Sequence, residues 1–135
     1  MNVLFIGSNP SVKANSDDAF TEDTRSGKIL RDWIKRAYLD THDMHFINVS
    51  SSKTQNNKRL SKIEINANLE NLKTQIQEIN PTHVVALGKD AAYAVGKITK
   101  DFIEMAHPSG MNRKLNDDVY VEQQITNLSK YVYER

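Results

Sequence analysis

The sequence predicts an α/β fold, a three-layer α/β/α sandwich in which a four-stranded, mostly parallel sheet lies between two layers of helices. Short continuous apolar runs, typical of strands buried on both faces, alternate along the chain with longer segments. Apolar residues in those longer segments recur at intervals of three and four, the pattern of a helix packed on a sheet. Strands joined by helical crossovers run parallel and carry helices on both faces.

The first two strands and the helix between them come from the amino-terminal third of the chain. The apolar run Val3 to Ile6 predicts a strand that stops at Gly7, and Met44 to Ile47 predicts a second strand that closes at Asn48. Between them a helix is expected from about Ser26 to Leu39. Its apolar stripe consists of Ile29, Leu30, Trp33, Ile34 and Ala37.

The second helix has the clearest boundaries in the sequence. Ser61 and Glu64 have the spacing of a capping box, and Pro81 ends the segment. Helical intervals separate the apolar residues Ile65, Leu69, Leu72, Ile76 and Ile79. We therefore predict one helix from the capping box to the proline.

The carboxyl-terminal half supplies two more strands and two more helices. His83 to Leu87 predicts the third strand, ending at Gly88, and Phe102 to Met105 predicts the fourth, ending at His107. The intervening helix is rich in small residues and comprises Ala91, Ala92, Ala94, Val95 and Ile98. A last helix carries Val121, Ile125, Leu128 and Val132 on one stripe.

Length and composition limit the class of protein. A chain of 135 residues has the commonest domain size, so we expect one domain over residues 1–135 and a monomer. It contains no signal-peptide pattern and no apolar run near the roughly 20 residues of a membrane span. We expect a cytoplasmic protein with no membrane association, or one in the host cytoplasm if the source is a virus. The absence of cysteine excludes disulfides, thiolate catalysis, cysteine-ligated zinc and iron-sulfur clusters.

A net charge of +1 provides no general attraction to phosphate, so nucleic-acid binding requires a local basic face. One candidate face is a polar stretch that contains Lys53, Lys58, Arg59 and Lys62, and Arg113 and Lys114 follow the second candidate loop. Solvated loop charges are the simpler interpretation of these clusters.

Unusual residues gather after the strands, where parallel α/β sheets bind ligands. Gly7-Ser8-Asn9-Pro10-Ser11 follows the first strand, and His107-Pro108-Ser109-Gly110-Met111-Asn112-Arg113 follows the fourth. The first segment resembles motif one of the uracil-DNA glycosylase superfamily, in the Gly-x-Asn-Pro form of the mismatch-specific uracil and thymine glycosylases. The second resembles motif two, a His-Pro-Ser followed by a loop that wedges into DNA. The resemblance covers nearly the whole chain and implies a uracil-DNA glycosylase-like fold.

The resemblance implies a DNA glycosylase that flips a base out of DNA and hydrolyses its bond to the sugar. The bond breaks to leave a positively charged sugar and a base anion, so a hydrogen-bond donor must stabilise the developing negative charge. His107 is the candidate donor. Asn9 stands where the fastest members carry an aspartate, and its amide can orient a water but cannot accept a proton from it. Slow turnover is therefore expected.

The remaining assignments concern the base and the DNA strand. Asn48 resembles the asparagine that reads the pyrimidine, because its amide can face N3–H and O4 of uracil and opposes the reversed pattern of cytosine. Phe20 is the candidate stacking ring, and Gly7 and Ser8 complete the base-binding group. Met111 is the candidate plug for the vacated space in DNA. The phosphate contacts are expected from Ser11, Ser50, Lys53, Ser109 and Arg113. No metal and no cofactor are expected.

Two other functions remain open at this point. A protein of the same fold could capture a nucleobase, a nucleotide or a protein partner without cleaving anything, which the amide at Asn9, the short chain and the near-neutral charge all favour. An unrelated flavodoxin-like domain that binds a nucleotide at the same edge is the third interpretation, and it predicts no interaction with DNA.

Overall fold

The computed structural model describes residues 1–8, 20–39, 44–50, 61–109 and 112–134. It contains one sheet of four strands, all parallel, in the order β2-β1-β3-β4. The strands are β1 (Val3–Gly7), β2 (Met44–Asn48), β3 (His83–Leu87) and β4 (Ile103–Met105). The helices are α1 (Arg25–Arg36), α2 (Lys62–Ala67), α3 (Leu69–Ile79), α4 (Lys89–Gly96) and α5 (Asp118–Tyr133).

Two apolar clusters, one on each face of the sheet, form the core. Alternate residues of a strand point to opposite faces, so Phe5 belongs to one cluster and its neighbours Leu4 and Ile6 belong to the other. The cluster around Phe5 joins the sheet to α1 and α5. The cluster around Leu4 and Ile6 joins it to α2, α3 and α4. These two layers of helices confirm the predicted α/β/α sandwich.

The order of the strands creates a point of divergence between β1 and β3. The chain leaves β1 through α1 toward β2, and it leaves β3 through α4 toward β4, in the opposite direction. Right-handed crossovers in opposite directions lie on opposite faces, as α1 and α4 do here. Such a divergence opens a crevice outside the carboxyl ends of the strands, here called the carboxyl edge of the sheet.

The segment predicted as one helix from Ser61 to Pro81 is two helices, α2 and α3, which meet at Asn68. The N-cap bond of the capping box is present, since the Ser61 hydroxyl accepts a hydrogen bond from the Glu64 backbone N–H at 3.2 Å. At the junction the Asn68 side-chain amide donates to the Glu64 carbonyl oxygen at 2.7 Å. A short amide side chain that bonds a nearby backbone carbonyl competes with regular helix, so periodicity alone missed the break.

The other boundaries differ from the predictions by a few residues at most, with one addition after the second motif. A 3₁₀ turn, Arg113–Asn116, begins at the last residue of the second motif. Asn112 caps this turn by accepting from the Lys114 backbone N–H at 3.1 Å. All four apolar residues predicted for the last helix are buried in α5. In the described ranges, no helix is long and apolar enough to cross a membrane.

Candidate functional site

The ends of β1 and β2 form the base of the candidate site. Gly7 and Asn48 are register partners, so two residues from distant parts of the sequence stand side by side at the carboxyl edge. Backbone pairing continues past the strands, with the Val49 N–H donating to the Gly7 carbonyl at 2.8 Å and the Ser50 N–H donating to the Ser8 carbonyl at 2.9 Å. This pairing fixes the position of the Asn48 side chain relative to the first motif.

Gly7 lies against two other candidate side chains. A Cβ atom at this position would stand 2.6 Å from Cζ of Phe20 and 2.7 Å from Oδ1 of Asn48. Atoms of those types do not approach so closely, so any side chain at residue 7 would displace one of them. The glycine is therefore required by close packing, and it brings the aromatic ring and the amide together.

Phe20 is held in place from α1. Its backbone has φ of 50°, a left-handed conformation that is uncommon for a bulky residue. The Arg31 guanidinium donates a hydrogen bond to the Phe20 carbonyl and lies 5.1 Å from the centre of the Phe46 ring. Gly27 leaves room for this segment, because a Cβ there would overlap the Thr21 carbonyl oxygen. The Phe20 side chain, only 7% exposed, is thus a fixed wall of the site.

His107 reaches the same place from β4. Its imidazole centre lies 5.8 Å from the centre of the Phe20 ring, with the two planes inclined by 45°. Gly88 has φ of 92° and packs against the histidine, since a Cβ on it would stand 3.3 Å from the His107 Cβ. The Ala106 N–H donates to the side-chain oxygen of Gln124 on α5 at 2.8 Å. These contacts hold the segment that carries the imidazole against both β3 and α5.

The environment of His107 favours its neutral form. Burial lowers the pKa of His107 below its ordinary value of 6.5, and this effect outweighs the nearby charge of Asp90, which raises the pKa. Near pH 7 the ring is therefore uncharged, with one nitrogen as donor and the other as acceptor. A neutral imidazole can donate a hydrogen bond to an oxygen atom without bringing a buried positive charge.

These shifts predict how His107 titrates. The ring is expected to titrate below pH 6.5, and Asp90→Asn should lower its pKa further because a neighbouring negative charge is lost. Because folding lowers the pKa of His107, protonation of the ring favours the unfolded state. The free energy of unfolding is therefore greatest above the unfolded-state pKa and decreases as pH falls toward the lower folded-state pKa. NMR titration of the imidazole, assigned with His107→Ala, measures both effects. A pKa above 6.5, or an upward shift in Asp90→Asn, would contradict this account.

The structure brings together Gly7, Phe20, Asn48 and His107 at the carboxyl edge. The other predicted residues that the structure describes lie on neighbouring segments. Ser8 directly follows β1, Ser109 donates its N–H to the His107 carbonyl at 2.8 Å, and Ser50 is buried. Arg113 is exposed on the 3₁₀ turn. Asn9, Ser11, Lys53 and Met111 lie outside the described residues. Among the residues described, no group of three or more metal-binding side chains is clustered as a metal site would require.

Sequence reasoning missed the residues that position the site. Arg31 bonds a carbonyl eleven residues earlier in the chain, and no sequence pattern indicates such a contact. Gly27 gave a usable signal, because a glycine inside a helical pattern costs about 1 kcal/mol relative to alanine and suggests close packing. The sequence places Gly88 at the carboxyl edge, after the third strand, but it indicates neither the φ of 92° that favours glycine nor the contact with His107.

A comparison with protein families supports the assignment of the whole chain. The model of the uracil DNA glycosylase superfamily matches residues 1–128, which include all four strands and the residues that converge on the carboxyl edge. No curated protein gives a significant match to the sequence. Because the family model spans nearly the entire chain, the protein belongs to the uracil-DNA glycosylase superfamily, which implies a glycosylase-like function on DNA.

Proposed function

We propose that this protein hydrolyses the N-glycosidic bond of uracil or a related modified pyrimidine in DNA. The observation that carries the proposal is the convergence of an amide, an aromatic ring and an imidazole from three separate loops. Gly7 contacts both Asn48 and Phe20, and the Phe20 ring lies 5.8 Å from the imidazole of His107. A base extruded from DNA needs these three types of group for reading, packing and charge stabilisation.

The reaction needs water and a stabilised leaving group, and in this proposal it uses no metal or cofactor. Water adds to C1′ of the sugar as the bond to N1 of the base breaks, and the bonding electron pair leaves with the base. The base departs as an anion, the water that bonds to C1′ loses one proton to the solvent, and the base anion later takes up a proton, so the products are the free base and an abasic sugar. His107, kept neutral by burial, donates a hydrogen bond to the base oxygen on which the charge develops.

Two side chains select the base in this proposal. Asn48 presents its amide to the N3–H and O4 edge, so a cytosine would leave buried polar groups unpaired. Phe20 provides the packing surface, and aromatic stacking contributes about 1–3 kcal/mol per base. Arg31 holds the Phe20 backbone, and the contact with Gly7 holds its ring. Because Phe20 is already fixed in place, little conformational entropy is lost there when the base binds.

The first motif sets the speed of the reaction. Asn9 cannot act as a general base, so the proposed rate enhancement depends on stabilising the base anion and on holding the water in place. Slow single-turnover hydrolysis is the expected behaviour. Met111 as plug and the phosphate contacts from Ser11, Ser50, Lys53, Ser109 and Arg113 complete the proposed DNA-binding surface.

The direct test is base release from synthetic DNA. Oligonucleotides carrying uracil or one of several modified pyrimidines, single-stranded and paired, are incubated with excess enzyme and then treated with alkali. We expect strand scission at the modified base and none at cytosine. No scission with any substrate would refute the glycosylase, and calorimetry with free bases and nucleotides would then show whether the protein is a capture module that binds a base and releases it unaltered.

A further inference from the structure

A line of positive charge begins beside the candidate site and follows α4. Lys89 and Tyr93 are four residues apart on this helix, and Lys97, the residue that caps its carboxyl end, is four residues further, so all three lie on the same side. Lys89 directly follows Gly88, which packs against His107. With a rise of 1.5 Å per residue, the line extends about 12 Å from the carboxyl edge.

Two lysine ammonium groups lie close to the Tyr93 ring. The Nζ atom of Lys97 lies 5.2 Å from the centre of the Tyr93 ring, and the Nζ atom of Lys62, from α2, lies 5.4 Å from the same centre. Both distances are within the range of a cation–π interaction. The ring therefore lies within reach of ammonium groups from two helices, and the positive charge beside α4 attracts an anion.

Among the described residues, no carboxylate forms an ion pair with the lysines of this group, Lys62, Lys89 and Lys97. The carboxylate of α2, Glu64, accepts a hydrogen bond from the Ser61 hydroxyl at 3.2 Å. On α4, Asp90 lies close enough to His107 to raise its pKa. Three exposed lysines thus remain available for an external anion.

We propose that Lys62, Lys89, Tyr93 and Lys97 form a track for the DNA backbone outside the nucleotide that enters the site. The lysines contact successive phosphates, and Tyr93 holds two of the ammonium groups in position. A nucleic-acid strand fits this line because it carries phosphates at regular intervals along its length. Arg113 and Lys114 lie in the layer of α5, on the other side of the sheet, so a strand that crosses the carboxyl edge meets positive charge in both layers. The inference rests on the proposed function only in taking DNA as the ligand.

The test compares two double variants with the same change in charge. Lys62→Gln with Lys97→Gln removes two lysines of the track, and Lys35→Gln with Lys130→Gln removes two from α1 and α5, in the opposite layer. The probes are labelled oligothymidylates of about 5 and about 20 nucleotides, one near the lower end of the site sizes of single-strand binders and one longer than the largest of them. These strands contain no uracil, binding is measured by fluorescence anisotropy, and alkali treatment of the same strands checks that they stay intact.

The track variant is expected to lose roughly tenfold in affinity for the longer strand and less for the shorter one. Its plot of log affinity against log salt should be shallower than that of the wild type by about 1.4, since each phosphate contact on a single strand contributes about 0.7. The α1/α5 variant should resemble the wild type. The track would be overturned if the two variants had equal affinities and equal salt slopes. It would also be overturned if the wild type did not bind the longer strand more tightly than the shorter one.

Tyr93 is tested separately through its ring. Tyr93→Phe keeps the aromatic face and should bind the longer strand like the wild type, whereas Tyr93→Leu should weaken binding toward the level of the lysine variant. If Tyr93→Leu binds as tightly as Tyr93→Phe, the ring does not position the lysines. Absence of base release from any substrate would refute the proposed reaction while leaving these binding comparisons decisive for the track.

Discussion

Replacing His107 with alanine is expected to lower the single-turnover rate of base release by roughly a hundredfold or more, with the fold intact. Loss of one donor to a developing negative charge costs about 3 kcal/mol of barrier. The side chain is only partly buried, and its loss leaves the backbone contacts of the segment in place, including the bond from Ala106 to Gln124. Single-turnover kinetics on a uracil-containing oligonucleotide measure the effect.

The control for this prediction is a histidine away from the candidate site. His45 is partly buried in β2 opposite Leu4 and is not among the converging residues. His45→Gln should retain most of the wild-type rate, and circular dichroism should show the same fold for both variants. A rate in His107→Ala equal to that of the wild type would remove the imidazole from the proposed reaction.

The second large effect is expected from a single added methyl group at Gly7. In Gly7→Ala the new Cβ would stand 2.6 Å from the Phe20 ring and 2.7 Å from Oδ1 of Asn48, so one or both must move. Overpacking of this kind costs about 1–3 kcal/mol of stability. Displacement of the Asn48 amide and the Phe20 ring by about 1 Å can reduce the rate of base release on the order of a hundredfold. Denaturant unfolding and single-turnover kinetics measure the two effects.

Gly96 offers a matched control within the same chain. A Cβ on Gly96 would meet only Cζ of Phe102 at 3.9 Å, an ordinary contact, and Gly96 ends α4. Gly96→Ala should therefore leave base release unchanged and should stabilise the helix by a few tenths of a kcal/mol up to about 1 kcal/mol. If Gly7→Ala behaves like Gly96→Ala in both measurements, the contacts that organise the site do not depend on the glycine.

Gly7 and Gly88 act on opposite sides of the same group of side chains. Gly7 sets how closely Phe20 and Asn48 approach each other, and Gly88 sets how closely His107 approaches the sheet. Both glycines end or directly follow the central strands β1 and β3, between which the connections diverge. The site therefore depends on backbone surfaces at the point where a parallel sheet leaves a crevice.

The strands and helices were largely predictable because their apolar spacing follows from backbone geometry. β3 begins and ends as predicted, and α5 buries the four predicted residues, since a buried stripe repeats with the helical period. The break at Asn68 was not predictable in this way. It depends on a side-chain amide that bonds a backbone carbonyl, and apolar periodicity carries no information about such a contact.

For the site, the sequence by itself determined which loops meet. Strands that run parallel bring their carboxyl ends to one edge, so Gly7, Asn48 and His107 had to lie at the carboxyl edge of the sheet. Only the tertiary structure decided how they touch. The bond from Arg31 to Phe20, the space at Gly27 and the contact of Gly88 with His107 join segments far apart in the chain. Such contacts arise from side-chain packing in three dimensions, which local spacing does not specify.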